Sequence, residues 1–388
     1  MENKTLNIAL VVDLFYPPVD GVVKTVDQYA REMLKMGHTP VVICPKIKGW
    51  KRVKLPYEVY RLPIFKLPLI PFSITIPFLT IKTKKYLKSK HFDIIHMHSP
   101  FTAGRMFALY GKLNHIPTIA SFHSKYYDDA YNVTHSKLIA KVLTRDIVRF
   151  YRFVDYVWAC SNATAKTLIQ YGYKGNVKAM PNGVEKMPEG NILDFKNEAI
   201  KLFNVDTNKN NILFVGQLIW HKHLKLILDV AKQLSLKSDD YNFILAGEGY
   251  NQKEIKEYAK SLNLGMHINF VGKIENRRQL FGLYASADLF FFPSLYDNAP
   301  LVVRESALAG LPSLLTEGSN SAEIVTDNVN GYLAKDTVEE MTSKIESIFA
   351  DKKKLKEVGL QAQNTIPIHW DKIVEIVLNE YYKKIQSK

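Results

Sequence analysis

Long apolar runs alternate with stretches of helical periodicity through the first half of the chain. Residues 6–15 (LNIALVVDLF) form an apolar run typical of a buried strand, residues 16–21 break it, and residues 22–36 have the 3.6-residue apolar period of a helix. Further strands are predicted at residues 39–44, 92–96 and 117–122. Repeated alternation of strand and helix predicts a parallel sheet with helices on both faces.

The second half of the chain restarts the same pattern. Strands are predicted at residues 211–215, 242–246 and 268–271, with helices at 224–236 and 252–262. Between the halves, residues 180–191 (MPNGVEKMPEGN) have the composition of a linker. We therefore expect an α/β fold with two Rossmann-like doubly wound domains. Because such sheets bind ligands beyond the carboxyl ends of their strands, the cleft between the domains is the expected site.

Composition supports two packed domains. The 388 residues include 47% hydrophobic and 23% charged residues, which excludes a disordered chain. Two cysteines, Cys44 and Cys160, exclude a disulfide scaffold and a four-cysteine zinc site. The N-terminus lacks the pattern of a secretion signal, and the most apolar stretch, residues 62–81, is interrupted by four prolines and Lys66. We expect a cytoplasmic protein that contacts membranes only peripherally.

The net charge of +14 lies in one half of the chain. Residues 1–190 contain 28 Lys and Arg against 13 Asp and Glu, whereas residues 191–388 contain 24 against 25. A basic domain beside a neutral one predicts a polyanionic partner, either nucleic acid or an anionic membrane. The alternative is a solvated basic surface in a lysine-rich proteome.

Two acidic residues bracket the start of a predicted helix in the second half. Residues 292–305 read FPSLYDNAPLVVRE, with Asp297 in a turn and Glu305 on the helix, so that the amides of Leu301 and Val302 form a helix start that favours a phosphate. On spacing alone, Asp297 as a helix cap and Glu305 as a surface residue explain the pattern better than a ligand site does.

This segment resembles the donor-binding signature of the retaining glycosyltransferases of the GT-B type, the group 1 family with an E-x7-E motif. The similarity covers nearly the whole chain and is carried by these segments: YPPVDG at 16–21, HMHSP at 96–100, His123 after a strand, PNGV at 181–184, VGQLIWHK at 215–222, SLYDNAPLVVRESALAGLP at 294–312, AEIV at 322–325 and NG at 330–331. The resemblance implies an acceptor-binding domain at 1–190, a nucleotide-sugar-binding domain at 191–365 and a terminal helix at 366–388 that returns to the first domain.

The resemblance also implies residue roles. Gly21 allows the backbone to approach the donor diphosphate, Lys222 neutralises that diphosphate, His123 contacts the donor sugar, Asp297 holds the sugar hydroxyls and Glu305 binds the ribose. Alone, each of these residues also fits an ordinary structural or surface role. The expected catalytic residues are His123, Lys222 and Asp297, and the expected donor-binding residues are Gly21, Gln217, Lys222, Asp297, Asn298, Ala299, Leu301, Val302 and Glu305.

Three positions depart from the family pattern. Asp297 replaces the usual glutamate and reaches one methylene less far. Gln217 stands where an arginine usually pairs with the lysine on the diphosphate, which removes one cation and its fork of donors. Pro300 replaces a frequent glycine and has no backbone N–H.

The resemblance implies a reaction without a metal or a resident cofactor. Transfer with retention takes place on one face of the sugar, and the donor phosphate helps to deprotonate the acceptor hydroxyl. His96 and His98 have the spacing of a zinc-ligand fragment, but their family position is a strand end.

The acceptor is expected to bind the basic domain. Residues 46–90 combine lysine clusters with a Pro-interrupted apolar stretch, as an interfacial membrane anchor does. This layout is most similar to bacterial glucosyltransferases that act on diacylglycerol, which implies UDP-glucose as donor, a lipid acceptor and attachment to the inner face of the cell membrane. Core packing of the apolar stretch is the alternative. The predicted membrane and acceptor residues are Lys66, Phe72, Phe78, Lys82, Lys84, Lys85 and Lys88.

Three other functions remain open. The enzyme could build a surface glycan on a lipid carrier or protein, or the chain could be a sugar-nucleotide sensor without turnover. A nucleic-acid-binding protein would also use a basic half, but no RNA-binding signature, helix-turn-helix or zinc finger is evident. We expect no nucleic-acid partner; the oligomeric state is left open.

Overall fold

A computed structural model describes residues 4–18, 20–47, 53–66, 73–75 and 80–387. The chain divides into two compact units. Unit 1 comprises Met1–Asn182 together with Trp370–Lys388, and unit 2 comprises Gly183–His369. The segment 183–190, which the sequence analysis assigned to the first domain, thus belongs to unit 2.

Unit 1 contains a parallel sheet of seven strands among the described residues, in the order β3-β2-β1-β6-β7-β8-β9, and a separate antiparallel pair β4-β5. In chain order, its elements are β1 (Asn7–Val11), α1 (Gly21–Lys35), β2 (Thr39–Pro45), β3 (Glu58–Leu62), β4 (Ile64–Lys66), β5 (Ser73–Thr75), α2 (Ile81–Lys90), β6 (Ile94–Met97), α3 (Thr102–Leu113), β7 (Thr118–Phe122), α4 (Tyr126–Thr134), α5 (Lys137–Phe153), β8 (Tyr156–Ala159), α6 (Asn162–Gln170) and β9 (Val177–Ala179).

Unit 2 contains a second parallel sheet, with six strands among the described residues in the order β12-β11-β10-β13-β14-β15. Its elements are α7 (Ile192–Leu202), β10 (Asn210–Val215), α8 (Leu224–Ser235), β11 (Tyr241–Ala246), α9 (Gln252–Ser261), β12 (Ile268–Gly272), α10 (Arg277–Ser286), β13 (Leu289–Phe292), α11 (Leu301–Leu308), β14 (Ser313–Thr316), β15 (Tyr332–Ala334), α12 (Val338–Ala350) and α13 (Lys352–Thr365).

Both sheets are doubly wound, as the alternation of strand and helix predicted. In each, the strand order reverses beside the first strand, between β1 and β6 in unit 1 and between β10 and β13 in unit 2. The central strands are almost wholly buried, because helices cover both faces of a parallel sheet. The loops at these two reversal points are where such folds bind ligands.

The last helix, α14 (Trp370–Gln386), belongs to unit 1 and packs against α1. Tyr381 is fully buried there, with its ring stacked on Trp158 at a centroid distance of 5.9 Å. The terminal helix thus lies with the first half of the chain but begins at Trp370, and residues 366–369, which were expected to belong to it, lie in unit 2.

The first predicted strand is too long. The strand ends at Val11, although Val12 and Phe15 beyond it are also buried. Beyond Val12 the chain turns, and the partly buried Asp13 carboxylate accepts hydrogen bonds from the backbone N–H of Ala103 at 2.7 Å and from the hydroxyl of Ser99 at 2.6 Å. Apolar runs report burial rather than backbone conformation, which is why the pattern overran the strand.

None of the helices in the described part of the chain combines the length and the apolar character needed to cross a bilayer.

Candidate functional site

The loops after β10 and β13 bring a lysine and a carboxylate together at the reversal point of the second sheet. Lys222 lies in a short 3-10 helix, Trp220–Lys222, and Asp297 lies in the loop that leads from β13 to α11. Lys222 Nζ is 2.5 Å from Asp297 Oδ1, and the two side chains are 13% and 17% exposed. Lys222 is thus a partly buried cation with a fixed partner rather than a solvated surface lysine.

Two glycines after β11 allow the Lys222 loop to lie where it does. Gly247 has a φ of +142°, and a Cβ at this position would collide with the carbonyl oxygen of Gly216. A Cβ on Gly249 would similarly collide with the carbonyl oxygen of Leu218. The two loops therefore pack backbone against backbone, which fixes the path of residues 216–222.

Several buried oxygens around Asp297 have no hydrogen-bond partner. Among the described residues, these include Asp297 Oδ2, Ser294 Oγ and Ser319 Oγ. Neighbouring polar groups are engaged, since Ser321 Oγ donates to the main-chain carbonyl of Asp297 at 3.3 Å and Asn320 Nδ2 donates to Asn298 Oδ1 at 2.7 Å. Because buried polar atoms rarely remain unpaired, these oxygens have hydrogen-bonding capacity that is available to a ligand.

The helix start beside this loop has no side-chain cap. α11 begins at Leu301 after Pro300, and no side chain accepts from its first amides. The interpretation of Asp297 as a helix cap is therefore wrong, because its Oδ1 is held by Lys222 instead. The N–H groups of Leu301 and Val302 lie in the first turn, where the helix dipole favours an anion. Pro300 has no N–H of its own, but it precedes Leu301 and Val302, so the N–H groups of both residues remain available to an anion.

Glu305 is not a surface residue. It is 4% exposed, Arg277 Nη1 donates to its Oε1 at 2.6 Å, and the hydroxyl of Tyr284 donates to its Oε2 at 3.2 Å. Arg277 Nε also lies 3.6 Å from Glu185 Oε2, while its Nη2 is buried without a partner in the described structure. The carboxylate is thus held in one orientation by two donors from α10.

Sequence reasoning missed Arg277, Tyr284 and Glu185. The two α10 residues lie 28 and 21 positions before Glu305, and no periodicity indicates a contact between two different helices. Gln217 is exposed, and its main-chain carbonyl accepts from the N–H of Ile219 at 2.9 Å. Ala299, beside Asn298, is partly buried in the same loop.

Gly21 and His123 belong to unit 1. Gly21 opens α1, whose first turn is capped by the Asp20 side chain, and nothing lies within 4 Å of where a Cβ on Gly21 would be. His123 follows β7, and its Nε2 is 3.2 Å from Nδ1 of His98, which follows β6. Both residues therefore stand at carboxyl ends of strands near the reversal point of the first sheet.

Three histidines at the ends of β6 and β7 in unit 1, His96, His98 and His123, have lowered pKa values, which favours their neutral form. Burial lowers the pKa of His123 to about 4 and lowers the pKa values of His96 and His98 well below the usual value. Both ring nitrogens of His96 are engaged, with the Tyr381 hydroxyl at 2.6 Å and Ser121 Oγ at 2.7 Å. His96 is thus a structural residue and not a zinc ligand, and the described ranges contain no cluster of residues suited to a metal.

The predicted membrane residues are only partly described. Lys82, Lys84, Lys85 and Lys88 lie exposed on α2. Phe72 and Phe78 fall outside the described residues, as does the side chain of Lys66.

Two family models together match most of the chain. The model for glycosyl transferases group 1 matches residues 195–365, and the model for glycosyltransferase family 4 matches residues 19–186. The two matches correspond to unit 2 and unit 1, respectively.

Curated relatives include enzymes that differ in sugar. The chain is 23% identical to alpha-monoglucosyldiacylglycerol synthase of Streptococcus pneumoniae, over 84% of this chain and 75% of that protein. It is 22% identical to the GPI3 subunit of phosphatidylinositol N-acetylglucosaminyltransferase of Saccharomyces cerevisiae, over 94% of this chain and 78% of that protein. It is 22% identical to a GDP-mannose-dependent alpha-mannosyltransferase of Corynebacterium glutamicum, over 85% of this chain and 77% of that protein.

Solved structures share the fold at low identity. Sucrose-phosphate synthase from Thermosynechococcus elongatus has a TM-score of 0.80 at 18% identity, covering 98% of this chain and 99% of that one. Anabaena Alr3699/HepE in complex with UDP and glucose has a TM-score of 0.75 at 17% identity, covering 97% and 99%. With two doubly wound sheets and both family models matched, the chain belongs to the group 1 glycosyltransferases and has the GT-B fold.

Proposed function

We propose that the protein transfers glucose from UDP-glucose to a membrane lipid acceptor such as diacylglycerol, with retention of the anomeric configuration, at the cytoplasmic face of the membrane. The lipid acceptor is supported by the names of two relatives, a monoglucosyldiacylglycerol synthase and a phosphatidylinositol N-acetylglucosaminyltransferase. The donor is supported by the first of these names and by a structural neighbour that holds UDP and glucose.

The observation that carries the proposal is the Lys222–Asp297 pair beside the uncapped start of α11. A diphosphate at this helix start would accept hydrogen bonds from the helix amides, and Lys222 would neutralise part of its charge. As the nucleotide leaves, negative charge grows on that phosphate, and a lysine held in advance stabilises it without reorganisation. Asp297 Oδ2, buried and unpartnered, would accept from a sugar hydroxyl.

The other unit 2 residues fit the nucleotide part of the donor. Glu305 would accept from the ribose hydroxyls, with Arg277 and Tyr284 holding its carboxylate in place. Gln217, in place of an arginine, leaves Lys222 as the side-chain cation that we assign to the diphosphate.

In unit 1, the open space beside Gly21 would admit a phosphate close to the backbone. A neutral His123 would donate or accept a hydrogen bond with the sugar. The proposed reaction needs no side-chain nucleophile, metal or resident cofactor, because the donor phosphate takes the acceptor proton as the sugar migrates.

The test offers the purified protein radiolabelled UDP-glucose, UDP-N-acetylglucosamine and GDP-mannose with anionic vesicles that contain diacylglycerol. We expect label from UDP-glucose in the organic phase. Lys222→Ala should reduce the rate at least about 100-fold, the usual cost of removing one preorganised stabilising group. Lys225→Ala is the matched control, since Lys225 follows closely in the same segment but is exposed and paired with Asp229.

Other outcomes separate the parts of the proposal. Label that enters the lipid from GDP-mannose alone would replace the donor and keep the acceptor. Sugar released into water with nothing in the lipid would move the acceptor to a glycan or protein. Equal rates for Lys222→Ala and wild type would contradict the role of Lys222.

A further inference from the structure

The first half of α5 exposes apolar side chains that nothing in the described structure covers. Leu138, Ile139, Val142 and Leu143 are all exposed, with Leu138 at 73% and Val142 at 54%. Val133, at the end of the preceding helix α4, is also exposed. The opposite side of α5 is buried through Ala140, Thr144 and Ile147, so the helix is anchored to unit 1 and presents its apolar turns outward.

Cations border these apolar residues. Lys137, Lys141, Arg145 and Arg149 recur every four residues, which places them in one stripe along the helix. All four are exposed, and none has a carboxylate partner in the described structure. The single acidic residue of α5, Asp146, is already bound by Arg105, whose Nη2 lies 2.6 Å from Asp146 Oδ2. The stripe is therefore free to neutralise an external anion.

We call the four exposed apolar residues and the four cations the α5 face: Leu138, Ile139, Val142, Leu143, Lys137, Lys141, Arg145 and Arg149. An apolar strip flanked by unpaired cations matches the chemistry of an anionic bilayer, where apolar side chains enter the acyl boundary and cations meet lipid phosphates. α2, which carries the predicted lysines, exposes charge but only one large apolar side chain, Ile81. Lysines alone give weak, salt-sensitive attachment, whereas the α5 face combines both contributions.

We propose that the α5 face docks unit 1 on the surface of an anionic phospholipid bilayer. The inference deepens the proposed function, because a lipid acceptor requires the enzyme to work at a membrane. The α5 face was not predicted from the sequence, because the apolar pattern of a helix does not show whether its apolar residues are exposed or packed in the core.

The test measures cosedimentation of the full chain with vesicles of phosphatidylcholine mixed with phosphatidylglycerol, and with vesicles of phosphatidylcholine alone. Neither vesicle contains diacylglycerol, and no sugar nucleotide is added. We expect binding to the anionic vesicles, weakened by high salt. Leu138→Ser with Val142→Ser, and separately Lys141→Glu with Arg145→Glu, should each lower the partition coefficient by about tenfold or more.

Matched controls lie in unit 2. Leu236→Ser with Met266→Ser removes two apolar side chains that are 66% and 82% exposed, and Lys256→Glu with Lys260→Glu reverses two exposed lysines. These variants should bind vesicles as the wild type does. Thermal unfolding followed by circular dichroism should show that every variant is folded, because all the changes are at exposed positions.

The docking face would be overturned if the wild-type protein does not bind anionic vesicles, or if the α5 variants bind them as well as the wild type does. It would also be overturned if the wild type is a dimer that Leu138→Ser with Val142→Ser converts to a monomer. The last result would mean that a second copy covers the face. Protein that binds vesicles but transfers no sugar would keep the docking face and contradict the proposed function. Transfer of sugar to diacylglycerol dispersed in detergent, by protein that does not bind vesicles, would support the proposed function and contradict the docking face.

Discussion

Asp297 and Glu305, eight residues apart, end in different chemical surroundings. Asp297 stays partly exposed, with one oxygen on Lys222 and the other free. Glu305 is buried, and each of its oxygens accepts from a different residue of α10. The first carboxylate thus keeps an acceptor available for a ligand, while the second is oriented by the protein before any ligand arrives. The eight-residue spacing in the sequence identifies the two positions, but it does not show that one carboxylate keeps a free oxygen while the other has both oxygens bound.

The Arg277–Glu305 ion pair should contribute to stability and to nucleotide binding. Arg277→Met leaves a buried carboxylate with only Tyr284 as a donor, so we expect the free energy of unfolding to fall by about 1–3 kcal/mol, allowing for the partial exposure of the arginine. If Glu305 binds the ribose, the Kd for UDP should also rise, because the carboxylate is no longer held in place. Urea unfolding and calorimetric titration with UDP measure the two effects.

Arg278→Met is the matched control for this pair. Arg278 is the next residue and forms a bidentate pair with Glu198, but both side chains are about half exposed, so its loss should cost less than about 1 kcal/mol and leave UDP binding unchanged. Equal effects of the two substitutions on stability would show that the Arg277 pair has no special role.

At the scale of elements, the pattern of apolar residues predicted the helices and strands whose boundaries are set by the local sequence. The helix at 224–236 and the strand at 211–215 match α8 and β10 to within one residue at each end, because strong periodicity and turn residues define both. The strands that were not predicted include β3, β8 and β9. β3 and β9 are edge strands of mixed burial, and β8 follows directly on a long helix, so none stands out as an isolated apolar run.

The candidate site was predicted to the extent that it depends on short segments. The loop at 215–222 and the segment 294–305 are each continuous in sequence, and the motifs in them led to Lys222, Asp297 and Glu305. The Lys222–Asp297 contact spans 75 residues and depends on β10 lying beside β13, which is a property of the folded sheet. The sequence also could not show that the α5 face is exposed, because the same apolar residue types occur on buried and on exposed faces of a helix.

The start of α1 gives a prediction at this scale. Gly21 is the first residue of the helix, and a methyl group there meets no neighbour. Gly21→Ala should therefore leave the protein as stable or slightly more stable, because alanine loses less backbone entropy than glycine in a helix. If the diphosphate approaches this backbone, kcat/KM for UDP-glucose should fall at least about tenfold.

Gly265→Ala is the control for Gly21→Ala, since its Cβ also meets nothing within 4 Å and it lies in the loop between α9 and β12. It should change neither stability nor turnover. Normal turnover in Gly21→Ala would contradict a phosphate contact at the start of α1.

At the scale of the whole molecule, the two units have the same topology but different charge and chemistry. Residues 1–190 carry the excess of cations, including the unpaired stripe on α5, and unit 1 also holds His96, His98 and His123, whose pKa values are lowered by burial. Unit 2 is close to neutral and holds the lysine and the two acids assigned to the donor. If the protein has the proposed function, unit 1 is the unit that faces an anionic membrane surface and unit 2 is the unit that binds the nucleotide.

The buried histidines make the stability of unit 1 depend on pH. Because burial lowers the pKa values of His96, His98 and His123 in the folded state, the unfolded chain binds more protons below about pH 6.5. The contribution of these histidines to stability is therefore complete above pH 6.5 and is lost as the pH drops toward 4, by up to about 1.4 kcal/mol per pH unit for each histidine. Asp13 acts in the opposite direction, because burial raises its pKa.

The histidine contribution is isolated by comparing His123→Gln with wild type in urea unfolding between pH 7.5 and pH 5, a range chosen around the unperturbed histidine pKa of about 6.5. Removing one buried histidine should reduce the pH dependence of the unfolding free energy by close to one proton, because burial, the larger cause, still lowers the pKa values of His96 and His98 in the variant. His115→Gln, at an exposed position of the same unit, is the matched control for the His-to-Gln change itself. Parallel curves for His123→Gln and wild type would mean that His123 binds its proton at the same pH in the folded and unfolded chain, which would contradict the effect of burial on its pKa.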